Sequence, residues 1–416
     1  MVWAAVARLQ QQAQKVSRNA WLFLWTVFLS NVGLSGIFML LYNLYLVQLG
    51  YREDFIGLLS FVQTGAMAFA ALPSGNLAPR FGYRNMLLWG TVVMGLSSLL
   101  LCVWTSPALL VLLNAVLGAG LAMRIVPYTP YLVRNSSRAE RTLLFAANSA
   151  AISAAGLVGS IVGGQLPELF RVLLSLPTAE SIPAYRGSLI VGAAVGLLAA
   201  LPMALADEET AGLAEAGAGP AQPANSRPTV QEGRRLRAQF VTVTVLFAVS
   251  AASIAPFTNV FYSRVLGLSA GSISLIFAAS SVLAAIGTVA ASQVAGRAGK
   301  VRTMILLRFA GAPLLLVLAF YPKLWVAVPA LLVRNITEMA GWPLDGAFLA
   351  EIVPLREQAA TVGWRSVAWN LAWALTSFVA GQVIVVSGYA PLFLCAGLSL
   401  SLASLAYQRF FGQYRL

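Results

Sequence analysis

Residues 75–84 read Gly-Asn-Leu-Ala-Pro-Arg-Phe-Gly-Tyr-Arg. The stretch joins two apolar runs, 54–78 and 85–105, each long enough to cross a bilayer as a helix. So short a connection makes the two helices antiparallel. Gly75 lets helices approach, Gly82 permits the tight turn, and Arg80 and Arg84 hold the loop at a charged membrane face. The same punctuation returns at an offset of 217 residues, where Arg80-Phe-Gly82 falls on Arg297-Ala-Gly299.

Outward from this loop the whole chain is apolar. Hydrophobic residues make up 59% of the 416 and charged residues 10%, where a soluble protein carries about a quarter charged. Apolar runs place twelve spans at 20–48, 54–78, 85–105, 107–131, 142–166, 186–206, 238–264, 270–294, 303–321, 324–350, 361–387 and 389–411. The net charge of +13 sits mainly between the runs, so the membrane accounts for it and nucleic-acid binding is not expected. There is no histidine, which removes His-based metal sites, general bases and proton relays together. Cys102 and Cys395 lie in apolar runs and read as packing residues. Neither a cofactor, a metal nor a catalytic residue is expected.

With the N-terminus placed in the cytoplasm, eighteen Lys and Arg residues fall on the inner side and five, Arg52, Arg171, Arg186, Arg264 and Lys323, on the outer. The positive-inside rule therefore puts both termini in the cytoplasm. Four arginines remain within spans: Arg124, Arg308, Arg334 and Arg365. The polar, Ala/Gly/Pro-rich stretch 207–237 reads as a flexible linker. The expected organisation is a leader (1–19), a six-helix bundle (20–206), this linker (207–237), a second six-helix bundle (238–411) and a short tail (412–416). The 217-residue offset also superposes Leu49-Gly50 on Leu266-Gly267, Tyr45 on Tyr262, Ser149 on Ser366, and Gly164-Gln165 on Gly381-Gln382. Two parallel six-helix repeats are thus predicted.

The 75–84 loop resembles the signature loop of the major facilitator superfamily, G-x-x-x-D-R-x-G-R-R/K. With the helix count, linker and repeat, the resemblance covers essentially the whole chain. It implies an all-α polytopic membrane protein, with twelve helices in two pseudo-symmetric bundles around a central cavity that opens alternately to each side. The chain departs from the pattern where the family has Asp and this sequence has Pro79, and where the next basic position is Tyr83. The family's charged lock on the inner side is therefore in doubt here. Gly156, Gly159, Gly163 and Gly164 look like the glycine-rich helix 5 motif of the superfamily's antiporters, with Ser160 in place of Pro. That reads equally as an export signature or as helix packing. The family's helix 4 proton-handling Arg is Asn114 here.

Helix 10 carries the densest chemistry. Arg334, Glu338, Gly341 and Asp345 share one helical face, with Glu338 near mid-span. Charge at that depth faces protein or water and defaults to function. The competing reading is an intrahelical Arg334–Glu338 structural pair. Arg124 of helix 4 lies between Glu338 and Asp345 in depth and is expected to approach Asp345 when the inner side closes. Arg308 and Arg365, nearer the inner ends, are expected to snorkel. Asn31, Tyr42, Asn43, Asn259, Asn335 and Asn370 offer hydrogen bonds inside the bundles. Trp369 and Trp373 read either as one wall of an aromatic cavity or as a pair that packs or faces lipid. Tyr45 and Tyr262, near the outer interface, read as belt residues.

The reading is a secondary transporter of a small organic or amphipathic solute in the inner or plasma membrane. It is expected to be monomeric and proton-coupled through Glu338, with export (an antiporter in efflux) as its direction. Lipid or lysolipid transport, and a non-transporting sensor or scaffold, are the alternatives.

Overall fold

A computed structural model describes residues 17–136, 138–207 and 230–414. Most of the expected leader and of the linker therefore lies outside the described residues. Twelve long helices follow one another: α1 (Arg18–Gln48), α2 (Glu53–Phe81), α3 (Tyr83–Val103), α4 (Pro107–Arg134), α5 (Arg138–Leu173), α6 (Ile182–Ala204), α7 (Gly233–Arg264), α8 (Ala270–Ala298), α9 (Lys300–Phe320), α10 (Leu324–Ile352), α11 (Leu355–Ser387) and α12 (Ala390–Phe411). Among the described residues there is no strand. Eleven of these helices are long and apolar enough to cross a membrane. The remaining one is α10, 29 residues long, whose apolarity is diluted by Arg334, Glu338 and Asp345. Phe69, Leu72, Leu306 and Val386 are exposed apolar side chains, which lipid would cover without penalty.

The repeat is visible in the backbone. Gly82 ends α2 at φ +86° and Gly299 ends α8 at +88°; Gly50 and Gly267, past the ends of α1 and α7, are at +90° and +67°. Each position needs the left-handed region that glycine enters without strain.

α1 wedges between α5 and α6, where small residues let backbones touch. A Cβ on Gly36 would stand 2.5 Å from Gly159 Cα, and one on Gly163 3.1 Å from Ile37 Cα. Here α1 becomes a π-helix over Asn31–Phe38. The equivalent depth in α7 is also irregular: a 3-10 turn, Ala255–Phe257, surrounds Pro256, which lacks an amide hydrogen. Neither irregularity follows from the apolar periodicity of the sequence.

The two halves meet on the face away from the termini, through two related contacts. Gly57 of α2 packs on α11, where its Cβ would lie 2.5 Å from the Ser377 carbonyl and 3.2 Å from Gly381 Cα. Gly164 of α5 packs on Ser274 of α8. Gly57 and Ser274, and Gly164 and Gly381, are counterparts under the 217-residue offset. Every hydrogen bond and ion pair between the halves, among the described residues, lies on that face. On the terminus side no hydrogen bond or ion pair joins the halves among the described residues.

Candidate functional site

Arg334 and Glu338 form an intrahelical pair at 2.7 Å, with both side chains almost wholly buried. Asn335, beside them, donates through Nδ2 to Ser280 Oγ of α8 at 2.7 Å. One turn further, Trp342 begins an aromatic cluster. Its ring lies 4.9 Å from Trp369, which is 5.7 Å from Trp373 and 5.8 Å from Phe247 of α7. Trp342 remains 42% exposed. The Trp369–Trp373 pair is thus joined by rings of α7 and α10.

Asp345 is paired with Arg365 of α11 and accepts from the Tyr407 hydroxyl at 3.2 Å. Arg365 Nε donates to Thr244 Oγ1 at 3.0 Å. Arg308 stands over the rings of Tyr407 and Phe247, at 4.6 and 5.1 Å, within electrostatic reach of Asp345. One expectation is corrected here. Arg308 and Arg365 do not snorkel to the surface; burial beside a carboxylate and aromatic faces replaces water for them. Asp345 meets Arg365 of its own half, and the approach of Arg124 expected on closure of the inner side stays a proposal.

The N-terminal half holds a neutral counterpart. Under the offset, Asp345 and Arg365 correspond to Tyr128 and Asn148, and Tyr128 hydrogen-bonds Asn148. Tyr128 also packs edge-on to Phe23, whose counterpart Phe240 lies against Arg365. Arg124, one turn deeper, is buried and makes neither a hydrogen bond nor an ion pair with any described residue.

The polar candidates on α1 and α7 are engaged within the protein. Asn31 Nδ2 donates to the Val27 carbonyl and its oxygen accepts from Ser35. Tyr42 accepts from Asn114, the residue at the missing helix 4 Arg position, at 3.0 Å. Asn43 donates to the Pro256 carbonyl (2.6 Å) and Asn259 to the Leu40 carbonyl (2.9 Å), so two amides cross-tie α1 and α7 beside their irregular turns. Tyr45 and Tyr262 are not belt residues: both are fully buried, Tyr45 bonding the Cys102 carbonyl at 3.2 Å. Cys102 is buried as expected, whereas Cys395 is exposed.

In the signature loop, Arg84 donates to the carbonyls of Met203 (3.2 Å) and Ala204 (2.6 Å), capping α6 of its own half. Arg80 is exposed. Gly75 has no atom within 4 Å of where an added Cβ would stand, so it serves no close approach. The helix 5 glycines divide by role: Gly159 and Gly163 face α1, while Gly156 and Gly164 face Ser281 and Ser274 of α8.

Sequence reasoning missed the closure opposite the termini. Arg264 Nη1 lies 2.9 Å from both oxygens of the buried Glu53, and Tyr389 donates to Glu53 at 3.2 Å. Burial first, and the Glu53 charge second, push the Tyr389 hydroxyl above the usual phenol value.

Two pseudo-symmetric helical halves, tied by polar contacts on the face away from the termini, with charges buried inside apolar helices, define a two-bundle membrane carrier. Comparison with known proteins agrees. The Major Facilitator Superfamily profile matches residues 23–375 and 240–413. No curated protein matches by sequence. Among solved structures, a bacterial homologue of the human lysosomal transporter Spinster, inward-facing and occupied, is 14% identical over 97% of each chain, with a TM-score of 0.74. A mutant form of the nucleoside transporter NupG is 14% identical over 94% of this chain and 100% of its own, at 0.73. A D-xylose-proton symporter is 15% identical over 94% and 96%, at 0.72. At such identities the likeness speaks for the fold. The chain belongs to the Major Facilitator Superfamily and is a multi-pass membrane transporter of solutes.

Proposed function

We propose that the chain carries a small organic or amphipathic solute with an aromatic or flat apolar body by alternating access, exchanged for protons through Glu338. The observation that carries this reading is the buried Glu338–Arg334 pair, one turn from the exposed Trp342 ring and the Trp369–Trp373 wall. A carboxylate held by an adjacent guanidinium stays ionised while the pair is intact, and takes a proton when the pair is pulled apart or its hydration changes. The aromatic wall supports an apolar solute, since rings supply contact area without demanding matched hydrogen bonds. The direction proposed is export, away from the side holding the termini, which charge asymmetry assigns to the cytoplasm. The helix 5 glycines do not bear on direction, since packing accounts for each of them.

The test is proton flux in proteoliposomes of the wild type and Glu338→Gln, with amphipathic amines, organic anions and lysolipids offered as driving solutes. The expected result is proton movement with one class in the wild type, and none in the variant, which still exchanges labelled solute for unlabelled. Proton movement undiminished in Glu338→Gln overturns the coupling role.

A further inference from the structure

The ionisable groups inside the spans do not balance. Arg124, Arg308, Arg334 and Arg365 are all buried or nearly so, against two carboxylates, Glu338 and Asp345. Glu338 is taken by Arg334 and Asp345 by Arg365, with Arg308 nearby. Of the two arginines without an ion pair, Arg308 lies within electrostatic reach of Asp345, and Arg124 pairs with no carboxylate among the described residues. It is 9% exposed, on α4, and makes neither a hydrogen bond nor an ion pair with any described residue. Arginine does not escape a poor environment by losing its proton, as a buried Lys or Glu does. An ionised guanidinium in such a place is retained at high cost unless something supplies the opposite charge.

The surroundings indicate where that charge enters. Nη1 of Arg308 is sealed from open space, whereas no unpaired nitrogen of Arg124 is. Arg124 lies ten residues from Arg134 at the terminus-side end of α4, and Trp342 lies ten residues from Ile352 at the same end of α10. At the helical rise both sit about 15 Å inside that face, on the side where no hydrogen bond or ion pair joins the halves among the described residues. One half thus carries a cation with no partner among the described residues, and the other the exposed Trp342 with the half-buried Trp369 beside it, at equal depth.

We propose that Arg124 binds the anionic group (carboxylate, sulfonate or phosphate) of the transported solute, whose apolar body lies against Trp342 and Trp369. The assignment rests on the carrier reading above and narrows it to amphipathic anions. Planar guanidinium suits such groups because it donates two parallel hydrogen bonds to two oxygens. Tyr128 and Asn148 bond each other one turn nearer the terminus side. They fix the floor over which the anion passes, and they add no competing charge.

The experiment is calorimetric titration of the purified full chain, in a neutral detergent, with naphthalene-1-sulfonate and with its uncharged isostere naphthalene-1-sulfonamide. Wild type, Arg124→Gln and Arg124→Lys are compared. The expected result is a tenfold or greater preference for the sulfonate in the wild type, lost in Arg124→Gln and partly kept in Arg124→Lys, with sulfonamide affinity unchanged throughout. That unchanged affinity also shows that the variants are folded. Repeating the titration in nanodiscs of phosphatidylcholine and of phosphatidylglycerol separates the sources of the anion. Sulfonate binding weakened by phosphatidylglycerol in the wild type but not in Arg124→Gln identifies a lipid headgroup, and no weakening identifies a free solute. A sulfonate preference that survives in Arg124→Gln overturns the assignment while leaving the aromatic-walled carrier intact. If the wild type binds neither compound, the aromatic wall is not a solute site, and both readings fall.

Discussion

Replacing Glu53 by Gln tests what holds the halves together opposite the termini. The change keeps the shape and one acceptor oxygen, but removes the charge that Arg264 meets at 2.9 Å on both oxygens. The Glu53 side chain is 7% exposed and that of Arg264 36%. Removing one member of a fully buried pair costs about 3–5 kcal/mol, and an exposed pair contributes about 0–1 kcal/mol. With one buried and one hydrated end, the loss falls between them, at about 2 kcal/mol. It falls only on the state in which the pair is formed, so it shifts the ratio of open to closed on that face by roughly 30-fold. A resting ratio of about 1:99 becomes about 1:3. Spin labels at Ser106 and Lys323, exposed on loops of the two halves on that face, report the separation by electron–electron double resonance, with Cys102 and Cys395 replaced by Ala. The expected outcome is growth of the long-distance population by tenfold or more. A distance distribution unchanged in a folded variant would refute the reasoning, and would leave the closure to backbone packing at Gly57 and Gly164.

Gly36→Ala is expected to lower the melting temperature in detergent, with an overpacking cost of about 1–3 kcal/mol, because its methyl meets Gly159 Cα at 2.5 Å. Gly75→Ala, with open space around it, is expected to be neutral or to stabilise α2 by up to about 1 kcal/mol in the same assay. Tyr389 has its proton affinity raised in the fold, so its contribution is whole below the ordinary phenol value near 10 and fades as pH climbs above it. The melting-temperature advantage of wild type over Tyr389→Phe should therefore be level from about pH 7 to 9.5 and shrink from about pH 10 to 11.

Depth was legible in the sequence, and azimuth was not. Apolar run length placed all twelve helices, and the 217-residue offset located glycines that share a backbone conformation and counterpart contacts between the halves. The spacing within α10 put Arg334 and Glu338 on one face, because neighbours four apart on one helix need no tertiary information. Arg365 was misjudged because ten residues into α11 is within snorkelling reach of water, and nothing in a single helix says that Asp345 of another faces it. The offset held a usable signal: it maps Asp345 and Arg365 onto Tyr128 and Asn148, so the contact in one half marks the contact in the other. The π-helix of α1 left no trace in composition. It arises where Gly33 and Gly36 are pressed against α6 and α5 at once, which is a property of three helices together.

The neutral Tyr128–Asn148 pair shows that the fold does not require charge at the positions of Asp345 and Arg365, which raises the question of why charge is there. Arg308 supplies an answer. It has Thr91 as its counterpart in the N-terminal half, so that half has no cation at this point to be offset. In the C-terminal half Asp345 serves two arginines, bonding Arg365 and neutralising Arg308 at a distance. The two single substitutions should then be unequal. Asp345→Asn strips the counter-charge from both guanidinium groups and should cost about 3–5 kcal/mol, the loss typical of a buried charge left unpaired. Arg365→Gln leaves one carboxylate facing one arginine, with the Tyr407 hydroxyl still donating to it, and should cost about 1 kcal/mol, a hydrogen bond's net worth. Combining them leaves Arg308 alone unpaired, so the double variant should melt between the two singles, above Asp345→Asn although it carries one more substitution. Thermal unfolding of the four proteins in detergent reads the order directly. If Arg365→Gln melts as low as Asp345→Asn, Arg308 does not share the carboxylate, and the charge at this node has a role outside the electrostatics of its own half.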